Sequence, residues 1–315
     1  MTGPAEAPLG YDRLLSAGRP GAWRGVLGVA VLVLVVLLVA QLVLALLFSI
    51  GIALVGGDVS AEMDRILSTD PVTPAGLAFL NLALASAIPA TWFLVRVLHG
   101  LRPGWLASVV GRLRWRWFAT CLGLAAVTLL VTLVVGSLVP ASGDQAQVGG
   151  ELNSFTTQTR DFLLVILLLT PVQAAGEEYA FRGYLTQVFG LLGHRWVSVL
   201  LPALLFALAH GAQDPAIFFD RFAFGVVAGV LVIATGGLEA GIAMHVLNNF
   251  VAYGAALAFG DMTTALDPSG GSWWNLPVTL TQSLLFLGLA TTAARRRGLA
   301  ASADRVELVG PGTRV

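Results

Sequence analysis

The 315-residue chain is 57% hydrophobic and 11% charged, and its 18 basic and 18 acidic residues cancel to zero net charge. With a mean hydropathy of +0.82, this excludes a soluble globular protein, gives no reason to expect a nucleic-acid partner, and describes an integral membrane protein. The one cysteine, Cys121, lies inside an apolar run, so neither an intramolecular disulfide nor a metal-thiolate site is available.

A bilayer core of about 30 Å takes about 20 helical residues to cross, and there only helices or closed barrels satisfy every backbone polar group. Eight apolar segments meet or approach that length, near residues 25–55, 75–98, 117–139, 161–190, 196–212, 217–235, 238–259 and 274–294. The expected fold is all-α: a polytopic membrane helix bundle of about eight transmembrane helices spanning 25–294, with no separate soluble domain. The first segment is too long for a signal-peptide core and lacks a small-residue cleavage pattern, so it reads as a retained helix. Segments five and six are shortened by Pro202 and by a break at 211–215. Gly225-x-x-x-Gly229 and Gly237-x-x-x-Gly241 allow close helix approach, and Gly236-Gly237 favours a tight turn, although ordinary packing accounts for both. Residues 1–24 and 295–315, rich in Gly, Ala, Pro and Arg, are expected to be poorly ordered tails.

Basic residues accumulate in cytoplasmic loops, whereas acidic residues carry little topological weight. With both termini cytoplasmic, 14 of the 18 arginines fall on that side, three (Arg65, Arg160 and Arg221) fall outside, and Arg182 lies within a span. The outer segments hold acids instead, among them Asp58, Asp64, Asp144, Asp214 and Asp267. The 96–116 loop, with Trp105, Trp115 and Trp117 among its arginines, reads as an interfacial stretch on anionic headgroups or as an ordinary basic loop with aromatic anchors. Lysine is absent, a compositional mark of a GC-rich bacterial genome. The expected location is therefore the plasma membrane of a bacterium.

Against this apolar background, Glu177-Glu178-Tyr179-Ala180-Phe181-Arg182 stands out. Each such charge near a helix centre costs roughly 2.5–3.5 kcal/mol in lipid, so the three must face a protein interior or a watery cavity. Glu178 and Arg182, four residues apart, stack on one helix face and can pair, which leaves Glu177 free to act as a base. A charge cluster that only locks helix packing is the alternative. Two of the four histidines also lie within apolar surroundings: His210 ends the run Phe206-Ala207-Leu208-Ala209, and His245 sits one helical turn before Asn249. His99 and His194, beside loop glycines and arginines, read as interfacial or capping groups.

Glu177-Glu178-x-x-Phe181-Arg182-Gly183, Phe206-x-x-x-His210 and His245-x-x-x-Asn249 resemble, in order and at one-helix separations, the three motifs of the CPBP family. These are the CAAX-prenyl-endopeptidase-like and bacteriocin-processing intramembrane proteases, also called the Abi family. The resemblance covers about 160–255, which would be the protease core. It implies an endopeptidase acting on a membrane-associated or lipidated protein or peptide. In it Glu177 and His210 would activate a water, His245 and Asn249 would stabilise the oxyanion, and Glu178 and Arg182 would support them. If a metal is bound, Glu177, His210 and His245 would form a three-ligand set for Zn with an open position for water; the same residues can also work without one. A catalytically silent scaffold or regulator of the same fold, or a proton-coupled transporter, remain the alternative functions. One expectation conflicts with convergence: counted along their helices, His210 lies about 22 Å and His245 about 10 Å from the cytoplasmic end.

Overall fold

A computed structural model describes residues 8–138, 151–210, 214–266, 271–304 and 306. Eight apolar helices build it: α1 (Ala22–Leu54), α2 (Pro74–His99), α3 (Trp115–Ser137), α4 (Thr157–Gly190), α5 (Arg195–Ala209), α6 (Pro215–Thr235), α7 (Glu239–Phe259) and α8 (Asn275–Arg296). Each lies within a few residues of an expected segment. Among the described residues seven are long and apolar enough to cross a membrane, and α5, at 15 residues, is not. The starts of three helices are written locally. Thr73 accepts from the Gly76 amide with Pro74 in the first turn, Thr156 and Thr159 form a reciprocal cap, and Asp214 accepts from Ala216 and Ile217 with Pro215 in the first turn. In each case a side-chain oxygen takes up an amide that the helix leaves unpaired.

One end of the bundle gathers the arginine-rich segments. Strand β1 (Leu9–Gly10) pairs antiparallel with β2 (Ser302–Ala303), so the two ends of the described chain meet on the same face. The seven long helices and the shorter α5 together match the eight apolar segments expected. Asp144, Asp267, Arg305 and Arg314, counted in the charge argument, lie outside the described residues, as do the extreme tails.

Two expectations need correction. Residues 8–24 are not a loose tail: Tyr11, Leu14 and Leu15 of a short helix, Tyr11–Ala17, are buried in the main core, and the Tyr11 hydroxyl donates to the Leu106 carbonyl at 2.5 Å. The apolar residues in this Gly- and Pro-rich stretch outweigh its composition because they pack into the main core. The 96–116 loop keeps Arg96, Arg102, Arg112, Arg116 and Trp115 exposed, as a basic loop with aromatic anchors would, but its middle does not lie on the surface. Leu101, Leu106, Ala107, Ser108 and Val109 are buried, and the loop folds under the start of α7. There Leu238 N donates to Ala107 O and Val109 N to Gly236 O. Gly236 makes the expected turn in the left-handed region, at φ 69°, where glycine alone is unstrained.

That loop also removes the depth conflict. Glu239, the first residue of α7, is fully buried beneath it, whereas α5 starts at the exposed Arg195 and Trp196. The two helices were counted from different levels. Close packing of α5 against α6 comes from Gly225 and Gly229, where added Cβ atoms would lie 2.9 Å from Ala203 and 3.1 Å from Val199.

Candidate active site

The α4 helix runs into a π segment, Tyr179–Leu185, directly after its glutamate pair; such wide turns recur at functional sites. Glu177, Glu178, Arg182 and His245 are all buried, and His210 and Asn249 are partly so. Glu178 faces α7, whose Gly241 makes room for it: a Cβ there would sit 2.6 Å from Glu178 Oε2.

Glu178 has two partners. Its Oε1 lies 3.2 Å from Arg182 Nη1, the pairing expected from their spacing, and 3.1 Å from His245 Nδ1. The first is a charge contact rather than an aligned hydrogen bond, because neither Nη of Arg182 has a hydrogen-bond partner. The guanidinium instead sits among aromatic rings, 4.0 Å from the centroid of Phe206 and 5.4 Å from that of Phe224, whose electron-rich faces favour a cation.

A carboxylate can only accept, so the Glu178 contact puts a proton on His245 Nδ1 and turns Nε2 towards Glu177, whose Oε2 is 3.3 Å away. His210 is held through the same nitrogen. Its Nδ1 donates to the Phe206 carbonyl at 2.8 Å, which leaves Nε2 with the lone pair when the ring is neutral. The Phe206 ring neighbours both imidazoles, its centroid 4.1 Å from that of His210 and 6.5 Å from that of His245. Asn249, one turn beyond His245, donates to Gln173 at 3.2 Å. The adjacent Asn248 instead accepts from Gln282 of α8 at 3.0 Å and serves packing.

The structure thus draws the glutamate pair, Arg182, His245 and His210 around one locus, with Asn249 on its rim. His194 is exposed, as a residue at a helix start should be. His99 is not interfacial: it is buried and bonds Tyr184 at 3.1 Å. Sequence reasoning passed over Gln173, although it stands one turn before Glu177. It also passed over the Arg114–Glu239 pair, in which Arg114 N, Nε and Nη2 each donate at 2.8 Å to a fully buried carboxylate. Arg114 had been counted only as a loop charge.

A resident Zn would need its three donors to converge, and no group of three His, Cys, Asp or Glu among the described residues is placed to hold a metal ion. In this arrangement Glu177, His210 and His245 do not fit as a ligand set.

Comparison with known proteins agrees with the motif reading. Residues 159–251 match the family described as type II CAAX prenyl endopeptidase Rce1-like, a segment that holds every residue named for the site. The resemblance to the CPBP family is borne out over that segment, and at family level it indicates a CAAX-type intramembrane protease. The chain is also 26% identical over 262 residues to the uncharacterized protein YyaK of Bacillus subtilis, covering 78% of this chain and 83% of the relative. No solved structure matches.

Proposed function

We propose that the chain is an intramembrane endopeptidase in which Glu177 and His210 activate water and His245 and Asn249 receive the developing oxyanion. The observation that carries this reading is that both imidazoles are held through Nδ1, His210 by a backbone carbonyl and His245 by a carboxylate, so that Nε2 is the nitrogen each keeps for chemistry. His210 donates through Nδ1 to a backbone carbonyl and keeps a basic Nε2. His245 donates through Nδ1 to Glu178 and turns its other nitrogen to the site. A charge cluster used only for packing has no need of two imidazoles each oriented through Nδ1.

The chemistry follows from those roles. Water held between the Glu177 carboxylate, which accepts one of its hydrogens, and His210 Nε2 passes a proton to that nitrogen as its oxygen attacks the scissile carbonyl carbon. The carbonyl oxygen gains negative charge and takes hydrogen bonds from Asn249 Nδ2 and from His245 Nε2, which shares a proton with Glu177. In a water-poor interior such donors lower the barrier by about 3–4 kcal/mol each. The tetrahedral intermediate collapses by breaking the C–N bond, and the proton taken from water goes to the leaving amine. Glu178 and Arg182 touch no reacting atom: Arg182 holds Glu178 in place, and Glu178 fixes the imidazole of His245. No step passes through a metal.

The substrate is a membrane-associated or lipidated protein or peptide reaching the site from the bilayer. The protein resides in a bacterial plasma membrane with its arginine-rich face and both ends cytoplasmic. Comparing N-terminal peptides released in membranes carrying the wild-type protein and Glu177→Gln tests the reading and identifies the substrate. Peptides present only with the wild type support it. Identical peptide sets refute it, and then proton or solute flux in reconstituted vesicles would mark a transporter, and its absence a silent scaffold.

A further inference from the structure

We infer that Gln173 is a positioning residue that fixes the amide of Asn249 for oxyanion binding, an inference that rests on the endopeptidase reading above. Asn249 can serve the oxyanion only through Nδ2, because its Oδ1 would repel the developing charge. A free asparagine amide rotates between two orientations, one of them wrong. Gln173 Oε1 accepts one Nδ2 hydrogen at 3.2 Å, which selects the right orientation and leaves the second hydrogen for the substrate.

The glutamine is itself buried. It is 5% exposed and lies on α4 four residues before Glu177, so the base and the amide lock share one rigid helix face. Three residues earlier, Thr170 accepts from Asn81 of α2 at 3.2 Å, which pins that turn against its neighbour. Gln173 Nε2 makes no hydrogen bond among the described residues, so a glutamate there, which can only accept, should hold the Asn249 amide at least as firmly. The contact also joins α4 to α7 one helical turn beyond the Glu178–His245 contact.

The test uses the full chain in detergent and, as probe, a synthetic peptide spanning the bond whose cleavage in membranes requires Glu177. Gln173→Met keeps the volume and removes the acceptor, and Gln173→Glu keeps an acceptor for the same N–H. Gln173→Met should lower kcat about 10-fold, the loss expected for one orienting hydrogen bond, with KM within about twofold. Gln173→Glu should restore most of kcat, and Gln173→Met should cost nothing further in an Asn249→Ala background. A full additional loss on top of Asn249→Ala, or equal loss in the Met and Glu variants, overturns the inference. If Glu177→Gln releases the same peptides as wild type, the endopeptidase reading fails first and Gln173 loses its role with it; failure of the cycle alone leaves that reading standing.

Discussion

Replacing Gly241 by alanine places a methyl carbon 2.6 Å from Glu178 Oε2, well inside contact distance. In an ordinary helix this substitution stabilises by up to about 1 kcal/mol, because glycine is a poor helix former. Here the methyl group must push Glu178 away from His245 or spread α7 from α4, and overpacking of that kind costs about 1–3 kcal/mol, so the net effect is destabilising. Glu178 is the group that orients His245. A hydrogen bond to a charged partner is worth about 1.5–3 kcal/mol, so kcat should fall about 10- to 100-fold. Gly254, in the same helix with no atom within 4 Å of an added Cβ, is the matched control: Gly254→Ala should stabilise by up to about 1 kcal/mol and leave activity close to wild type. Thermal unfolding in detergent and release of the Glu177-dependent peptide provide the two readouts. Equal behaviour of Gly241→Ala and Gly254→Ala would refute the placement of Glu178 against α7.

Three further outcomes follow from the packing and the proposed chemistry. Removing one partner of the buried Arg114–Glu239 pair, as in Glu239→Gln, should destabilise by about 3–5 kcal/mol, and the double variant Arg114→Met/Glu239→Met should recover most of that loss in the same unfolding assay. Tyr11→Ala should cost about 3–5 kcal/mol by emptying a fully buried aromatic site, whereas a true loose tail would give no change in melting. Peptide release should be insensitive to a strong zinc chelator, because the proposed water activation uses Glu177 and His210 alone; loss of activity restored by added zinc would contradict it.

The helices were legible because hydropathy and length decide a membrane span almost alone. The Glu178–Arg182 contact was legible because it lies within one helix, where spacing fixes geometry. What escaped depends on contacts between distant segments. Nothing in the residues 8–24 shows that Tyr11, Leu14 and Leu15 will pack into the main core. Arg114 looks like any basic loop residue until the loop folds under α7 and meets Glu239. The recessed start of α7 is likewise a tertiary fact, and without it the depths of His210 and His245 could not be reconciled. Gln173 was within reach, since the helical spacing that linked His245 to Asn249 also links Gln173 to Glu177.

The most direct test of the central claim is the rate of peptide release from membranes containing the wild type, Glu177→Gln, His210→Ala and the double variant, each at matched expression and folded yield. If one water is activated jointly by the two groups, each single variant should lose at least about 1,000-fold, and the double variant should be scarcely worse than either, because residues acting as a unit are not additive. Release at the wild-type rate from either single variant would contradict the account.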